Sequence, residues 1–200
     1  MGFIGIKRER RVYVGHILFW ITITIWVLSD LYLVFFRNKK NKAEKSEKKS
    51  KYIVFILVLS AIFGAQYIDP TTREVFDQSF NLVRYLSIPL IITGMTVRLI
   101  AVIQLGKSFS GNLGVEGKEK LYTDGIYKKI RHPSYLGLLI SFSGIAVAFY
   151  HPVSSSMVIL FALIAFLYRI SVEEKILKKE FGQKYIYYIE KTKKLIPYIY

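Results

Sequence analysis

At 200 residues, with a formal net charge of +15, 52% hydrophobic residues and a mean hydropathy of +0.33, the chain is too apolar for an ordinary soluble domain and fits one small polytopic membrane domain over 1–200. It has no cysteine and only three scattered histidines, His16, His132 and His151, so disulfides, a cysteine nucleophile and a resident metal are not expected. Its lysines and arginines lie mostly between apolar runs, where anionic head groups and topology account for them and a nucleic-acid partner is not needed.

Residues 12–36 form an apolar run of 25 with a single charge, Asp30, long enough to cross a bilayer core of ~30 Å. Basic residues precede it as in a signal peptide, but the run is too long and lacks a small-residue cleavage site, so a retained first span is expected. Asp30, near its end, is expected to reach the interface. Residues 37–51 carry eight basic and two acidic side chains and read as a solvated loop. A second span is expected over 52–68, stopped by Asp69-Pro70. After a short loop at 69–79, a third runs from about 80 to 105, with Pro89 and Gly94 inside it. Arg98 lies deep in this span and should face the bundle interior. A structural ion pair and a substrate contact are equally open for it.

Beyond a polar loop at 106–134, Tyr135–Tyr150 and Val153–Ile170 read as the fourth and fifth spans. Only His151-Pro152 separates them, so they should form a tight antiparallel hairpin with His151 as a turn residue of no chemical role. The helical pattern of the fifth continues to Phe181-Gly182, where glycine suits a C-cap. A helix from 153 to 181 would be ~43 Å long and project beyond the bilayer core. A short amphipathic stretch at 184–192 and the tail LIPYIY follow, the tail either folding back as a lid or lying in the interface. The architecture expected is therefore all-α with five spans, three over 1–105 and the rest in 106–200. With the N-terminus outside, 21 lysines and arginines face the cytosol against five opposite, which places both polar clusters described next on the cytosolic face.

The first cluster is LYTDGIYKKIRHPSYLG, residues 121–137. Pro133 restricts His132 to extended backbone and suits the first helical position, so the fourth span should start here with unpaired N–H groups. Such a helix start attracts a carboxylate or phosphate. Arg131, His132 and Tyr135 add side-chain donors, although a capped span with interfacial aromatics would look the same. In the second cluster Arg169 and Glu173 share one helical face and Glu174 lies about 100° round. Arg-before-Glu is the weaker order for an i,i+4 pair, and two acids gain nothing from the C-terminal dipole, so a cationic ligand accounts for them better.

The segments GKSFSGNLGVEGKEKLYTDGIYKKIRHPSYLG and RISVEEKILKKEFGQKYIYYIEKTKKLIP resemble the isoprenylcysteine carboxyl methyltransferase family of integral membrane enzymes, and more broadly the phospholipid methyltransferases. The likeness covers about residues 104–197: Arg-His-Pro-x-Tyr-x-Gly, the paired glutamates and Phe-Gly-x-x-Tyr follow in the family's order and spacing. The N-terminal spans match by kind alone. The resemblance implies a cytosolic site for S-adenosyl-methionine. In it Lys129, Ile130, Arg131, His132 and Tyr135 surround the methionine moiety, with backbone groups of the helix start on its carboxylate. Glu173, with Glu174 beside it, takes the amino group or ribose, and Leu121, Gly125, Ile126 and Tyr127 line the adenine side. Arg169 would orient an acceptor carboxylate, with Arg98 as a second substrate-facing candidate.

The implied reaction is methyl transfer to the carboxylate of a lipophilic acceptor such as a C-terminal prenylated cysteine, at a membrane surface and without a metal. Other acceptors stay open, a phospholipid, an amine or another small molecule. So do a nicotinamide-dependent reductase of related architecture and a transporter or assembly factor whose charges only set topology.

Overall fold

Apolar runs broken by prolines, glycines and basic stretches give a helical chain. The computed structural model describes residues 2–33, 45–68, 82–106, 121–149 and 151–197. Six helices are present there: α1 (Gly2–Leu31), α2 (Lys45–Ile68), α3 (Leu82–Leu105), α4 (Pro133–Phe149), α5 (Pro152–Phe181) and α6 (Gln183–Lys191), with a 3-10 turn at Gly125–Lys128. Among the described residues no strand forms; one isolated parallel bridge joins Ile130 to Lys193.

Helix α2 begins at Lys45, inside the basic stretch expected to be a loop throughout, while 37–44 lies outside the described residues. The expected loop at 69–79 is also outside them. Two stretches, Tyr85–Leu105 and Pro152–Phe181, are long and apolar enough to cross a membrane, and Ile17–Leu31, Tyr52–Ala65 and Pro133–Phe149 are shorter apolar helices.

Helix α4 packs between α3 and α5, α2 lies against α5, α1 against α3, and α6 against the end of α5. The closest approach is between α3 and α4, where small residues meet. A Cβ on Gly94 would stand 2.4 Å from the carbonyl oxygen of Gly137, and one on Gly137 would stand 2.6 Å from that of Gly94. Glycine at both positions lets the backbones touch, the usual means of joining helices where lipid removes any hydrophobic drive between them. Serine hydroxyls add to the joints: Ser141 donates to the Ile91 carbonyl at 3.4 Å across α3 and α4, and Ser154 to that of Ala65 at 3.0 Å across α2 and α5. Around them Trp26, Ile91, Phe142, Ile145, Val158 and Phe166 form the core. Large apolar side chains such as Leu28, Phe55, Phe63, Ile103 and Leu160 point outward and are exposed, as on a surface that meets lipid.

The α4–α5 hairpin turns at His151 as its spacing required. The His151 ring Nδ1 accepts from the Ser154 N–H at 3.4 Å and caps α5. Helix α5 runs unbroken to Phe181. Gly182, at φ 52°, then turns the chain into α6, its N–H bonded to the Lys178 carbonyl at 3.0 Å.

Candidate functional site

The site is assembled from the loop before α4, the far turns of α5, α6 and the residues that follow it. Beyond Ile170, where the expected span ends, α5 carries Glu173 and Glu174 over the start of α4. Tyr135 donates its hydroxyl to Glu173 Oε2 at 2.9 Å. Glu174 Oε1 accepts from Arg131 Nε at 3.1 Å and lies 3.3 Å from His132 Nε2, and its other oxygen is 3.9 Å from Lys194 Nζ. Burial by itself raises the Glu174 carboxyl, but the hydrogen bonds and charges of His132 and Arg131 outweigh it and hold the group at about 2. The two polar clusters seen in the sequence therefore meet, with Glu174 as the member that binds loop to helix.

The chain after α6 closes this arrangement. The Arg131 N–H donates to the Lys193 carbonyl at 2.8 Å, the His132 N–H to that of Lys194 at 3.1 Å, and the Lys193 N–H to that of Lys129 at 3.0 Å. The Arg131 guanidinium also donates to the carbonyls of Ile189 and Thr192. Leu195 is buried. The tail thus starts folded in at Leu195, Ile196 beside it is exposed, and residues 198–200 lie outside the described residues.

This pairing corrects one expectation. The loop and helix start were to offer unpaired N–H groups, yet those of Arg131 and His132 are taken by the tail, and those of Tyr135 and Leu136 by the His132 carbonyl at 3.1 and 3.2 Å. A turn beginning on His132 and strapped from outside thus takes up these four donors.

The residues assigned to the adenine side form a platform on α3. Gly125, at φ 59°, reverses the chain, and the Ile126 N–H donates to Gln104 Oε1 at 2.9 Å. Tyr127 is buried, donates to the Ala101 carbonyl at 3.3 Å and accepts at its own carbonyl from the Tyr188 hydroxyl at 2.7 Å. Leu121 is half-buried, Ile130 is buried, and Lys129 is exposed.

The two remaining arginines have partners. Arg169 is buried on α5 and donates to the Ser50 hydroxyl of α2, and its charge also acts on the Tyr135 hydroxyl. Arg98 Nε meets Asp30 Oδ1 at 2.5 Å, and its Nη1 donates to the Ser134 hydroxyl at 3.0 Å. Asp30 was expected to reach the interface; instead it crosses to α3 because a guanidinium within an apolar bundle needs a counter-charge.

Sequence reasoning gave no part to Thr192, Lys194, Tyr188 or Tyr185. The first two flank Lys193, whose bridge to Ile130 no periodicity announces. Tyr185 is the tyrosine of the Phe-Gly-x-x-Tyr motif, quoted there without a role. It is 1% exposed, and its hydroxyl has no partner among the described residues. An orphaned polar atom in a site of acids and bases suits a polar ligand.

Residues 87–179 match the model of the Isoprenylcysteine carboxyl methyltransferase (ICMT) family. A probable protein-S-isoprenylcysteine O-methyltransferase of Oryza sativa subsp. indica is 34% identical over 124 residues, covering 61% of this chain and 65% of the relative. Protein-S-isoprenylcysteine O-methyltransferase B of Arabidopsis thaliana is 36% identical over 115 residues, covering 55% and 57%. The chain thus spans less than two thirds of the length of these relatives. The solved structure of the eukaryotic intramembrane Ras methyltransferase ICMT superposes with a TM-score of 0.56 at 24% identity, covering 74% of this chain and 52% of that one. At that identity the likeness is one of fold.

Proposed function

We propose, on the match of residues 87–179 to the isoprenylcysteine carboxyl methyltransferase family model, that the chain is a five-span membrane enzyme that methylates the carboxylate of a lipophilic acceptor, of the prenylated-cysteine class, from S-adenosyl-methionine. The observation that carries this reading is the paired glutamates of α5 held over the Arg131-His132-Pro133 loop, Glu174 by Arg131 and His132 and Glu173 by Tyr135. The donor supplies a methyl group on a sulfonium, open to in-line displacement.

The roles of the chain's own residues follow from their partners. Tyr135 occupies one oxygen of Glu173 and so directs that carboxylate, which would accept from the donor's amino group or ribose. Glu174 is spent on Arg131, His132 and Lys194 and acts by fixing the loop. With four amides of the loop and helix start already bonded, the exposed Lys129 is a charged group open to the donor's carboxylate. The platform of Leu121, Gly125, Ile126 and Tyr127 would take the adenine. Arg169 would orient the acceptor carboxylate, while Arg98, held by Asp30 and Ser134, supports the start of α4. An acceptor carboxylate has a reference pKa of roughly 3.3 to 3.7, so it is ionised near neutral pH and no residue need act as a base. Catalysis is then positioning, together with exclusion of water by the folded-back tail. The basic asymmetry of the loops supports a cytosolic site with the N-terminus outside.

Titration of the purified protein with S-adenosyl-methionine and its demethylated product, alongside methylation of a prenylcysteine analogue, tests the reading. Binding of both with methyl transfer is expected. Absence of binding removes it, and binding without transfer to the analogue moves the acceptor elsewhere. In the same assay Arg169→Lys should lower turnover by about tenfold or more and leave donor affinity near that of the wild type, because a bidentate fork is lost only on the acceptor side.

A further inference from the structure

We infer that the Tyr185 hydroxyl is a binding group for the donor's ribose, a reading that rests on the methyl-donor site proposed above. Tyr185 opens α6, one turn past Gly182, and is 1% exposed. Every other buried polar group of the cluster has a partner: the Tyr188 hydroxyl donates to the Tyr127 carbonyl, and the Thr192 hydroxyl to that of Tyr188. The Tyr185 hydroxyl has none among the described residues. Burying a hydroxyl without a partner is costly, so an orphan at a site calls for a ligand that completes it.

Its neighbours define that ligand. Glu174, Glu173 and Arg131 are near enough for their charges to act on the phenol, and burial together with the two acids pushes it well above the ordinary tyrosine value. The group therefore stays a neutral donor. Neither glutamate bonds to it, Glu173 Oε2 being engaged by Tyr135 and Glu174 by Arg131 and His132. A ligand group that reaches both Tyr185 and Glu173 would accept a hydrogen bond from the phenol and donate one to the carboxylate. An ammonium cannot accept, and a ligand carboxylate cannot donate and would be repelled by both acids. A hydroxyl does both, and in an adenosyl donor the hydroxyls are on the ribose.

The test compares Tyr185→Phe with wild type by calorimetric titration with S-adenosyl-homocysteine and its 2′-deoxy and 3′-deoxy analogues. Loss of one neutral hydrogen bond should weaken S-adenosyl-homocysteine by about three- to tenfold. One of the deoxy analogues should bind wild type more weakly by a similar factor and show no further loss with Tyr185→Phe. The ligand-free variant should melt at or above the wild-type midpoint, because an orphan is removed. Equal affinity of variant and wild type would overturn the inference, as would the same loss with both analogues or a lower ligand-free midpoint, which would mean a structural partner. If wild type binds none of the three ligands, the donor site falls and the ribose contact with it; if wild type binds and Tyr185→Phe is unaltered, only the contact falls.

Discussion

Glu174 is the residue on which the two halves of the site depend. Its carboxyl is held at about 2 against an ordinary 4.5, so the native state favours the ionised form. A group depressed on folding contributes stability that is full above its unfolded value and is lost as pH falls toward its folded one. The wild-type thermal midpoint should therefore drop between about pH 4.5 and pH 3 by more than that of Glu174→Gln, and the two curves should run parallel above pH 6. A variant that follows the wild-type profile would show that the carboxyl carries no such coupling. The sequence pointed to both glutamates but set Glu173 first. Which of them binds the loop depends on the direction each takes from α5, and 100° of helical rotation separates the Tyr135 hydroxyl from the Arg131–His132 pair.

At the scale of the helices, the α1–α3 and α3–α4 joints set where the loop begins. Asp30→Asn removes the counter-charge of Arg98 and leaves a guanidinium within the bundle, which should cost about 3–5 kcal/mol and lower the melting midpoint in detergent. Asp30→Leu with Arg98→Met should regain most of that loss, since an apolar pair needs no compensation. If the single variant melts as wild type, the pair contributes little. Gly137→Val tests the second joint. Its added Cβ would lie 2.6 Å from the Gly94 oxygen and 2.7 Å from the Arg98 nitrogen, both backbone atoms that cannot step aside. The expected loss is about 1–3 kcal/mol or more, with weakened donor binding because Ser134 moves away from Arg98. Helix types, the hairpin and the Gly182 stop were legible from apolar run lengths and from proline and glycine positions, since these are local properties. The start of α2 at Lys45 was not, because a run of lysines carries no periodic signal even where the chain continues a helix.

For the whole molecule, the proposed cytosolic placement of the site rests on the charge asymmetry of the loops between apolar runs. The absence of cysteine makes the orientation directly measurable. A single Lys42→Cys in sealed right-side-out vesicles should be labelled by an impermeant maleimide only after permeabilisation, and Arg73→Cys should be labelled without it. The reverse pattern would invert the topology and place the site outside.

By itself the sequence determined the helical class, the order of apolar segments, the Arg131-His132-Pro133 and Glu173-Glu174 clusters and the family they resemble, because composition, helical period and proline chemistry act over a few residues. Tertiary structure alone decided that Lys193 and Lys194 strap the loop, that Asp30 answers Arg98, that Arg169 reaches Ser50, and that Tyr185 is buried with a hydroxyl that has no partner among the described residues. These contacts join residues some 60 or more positions apart, or depend on which way a helix face turns. Packing and the satisfaction of buried polar groups settle such matters, and no local pattern records them.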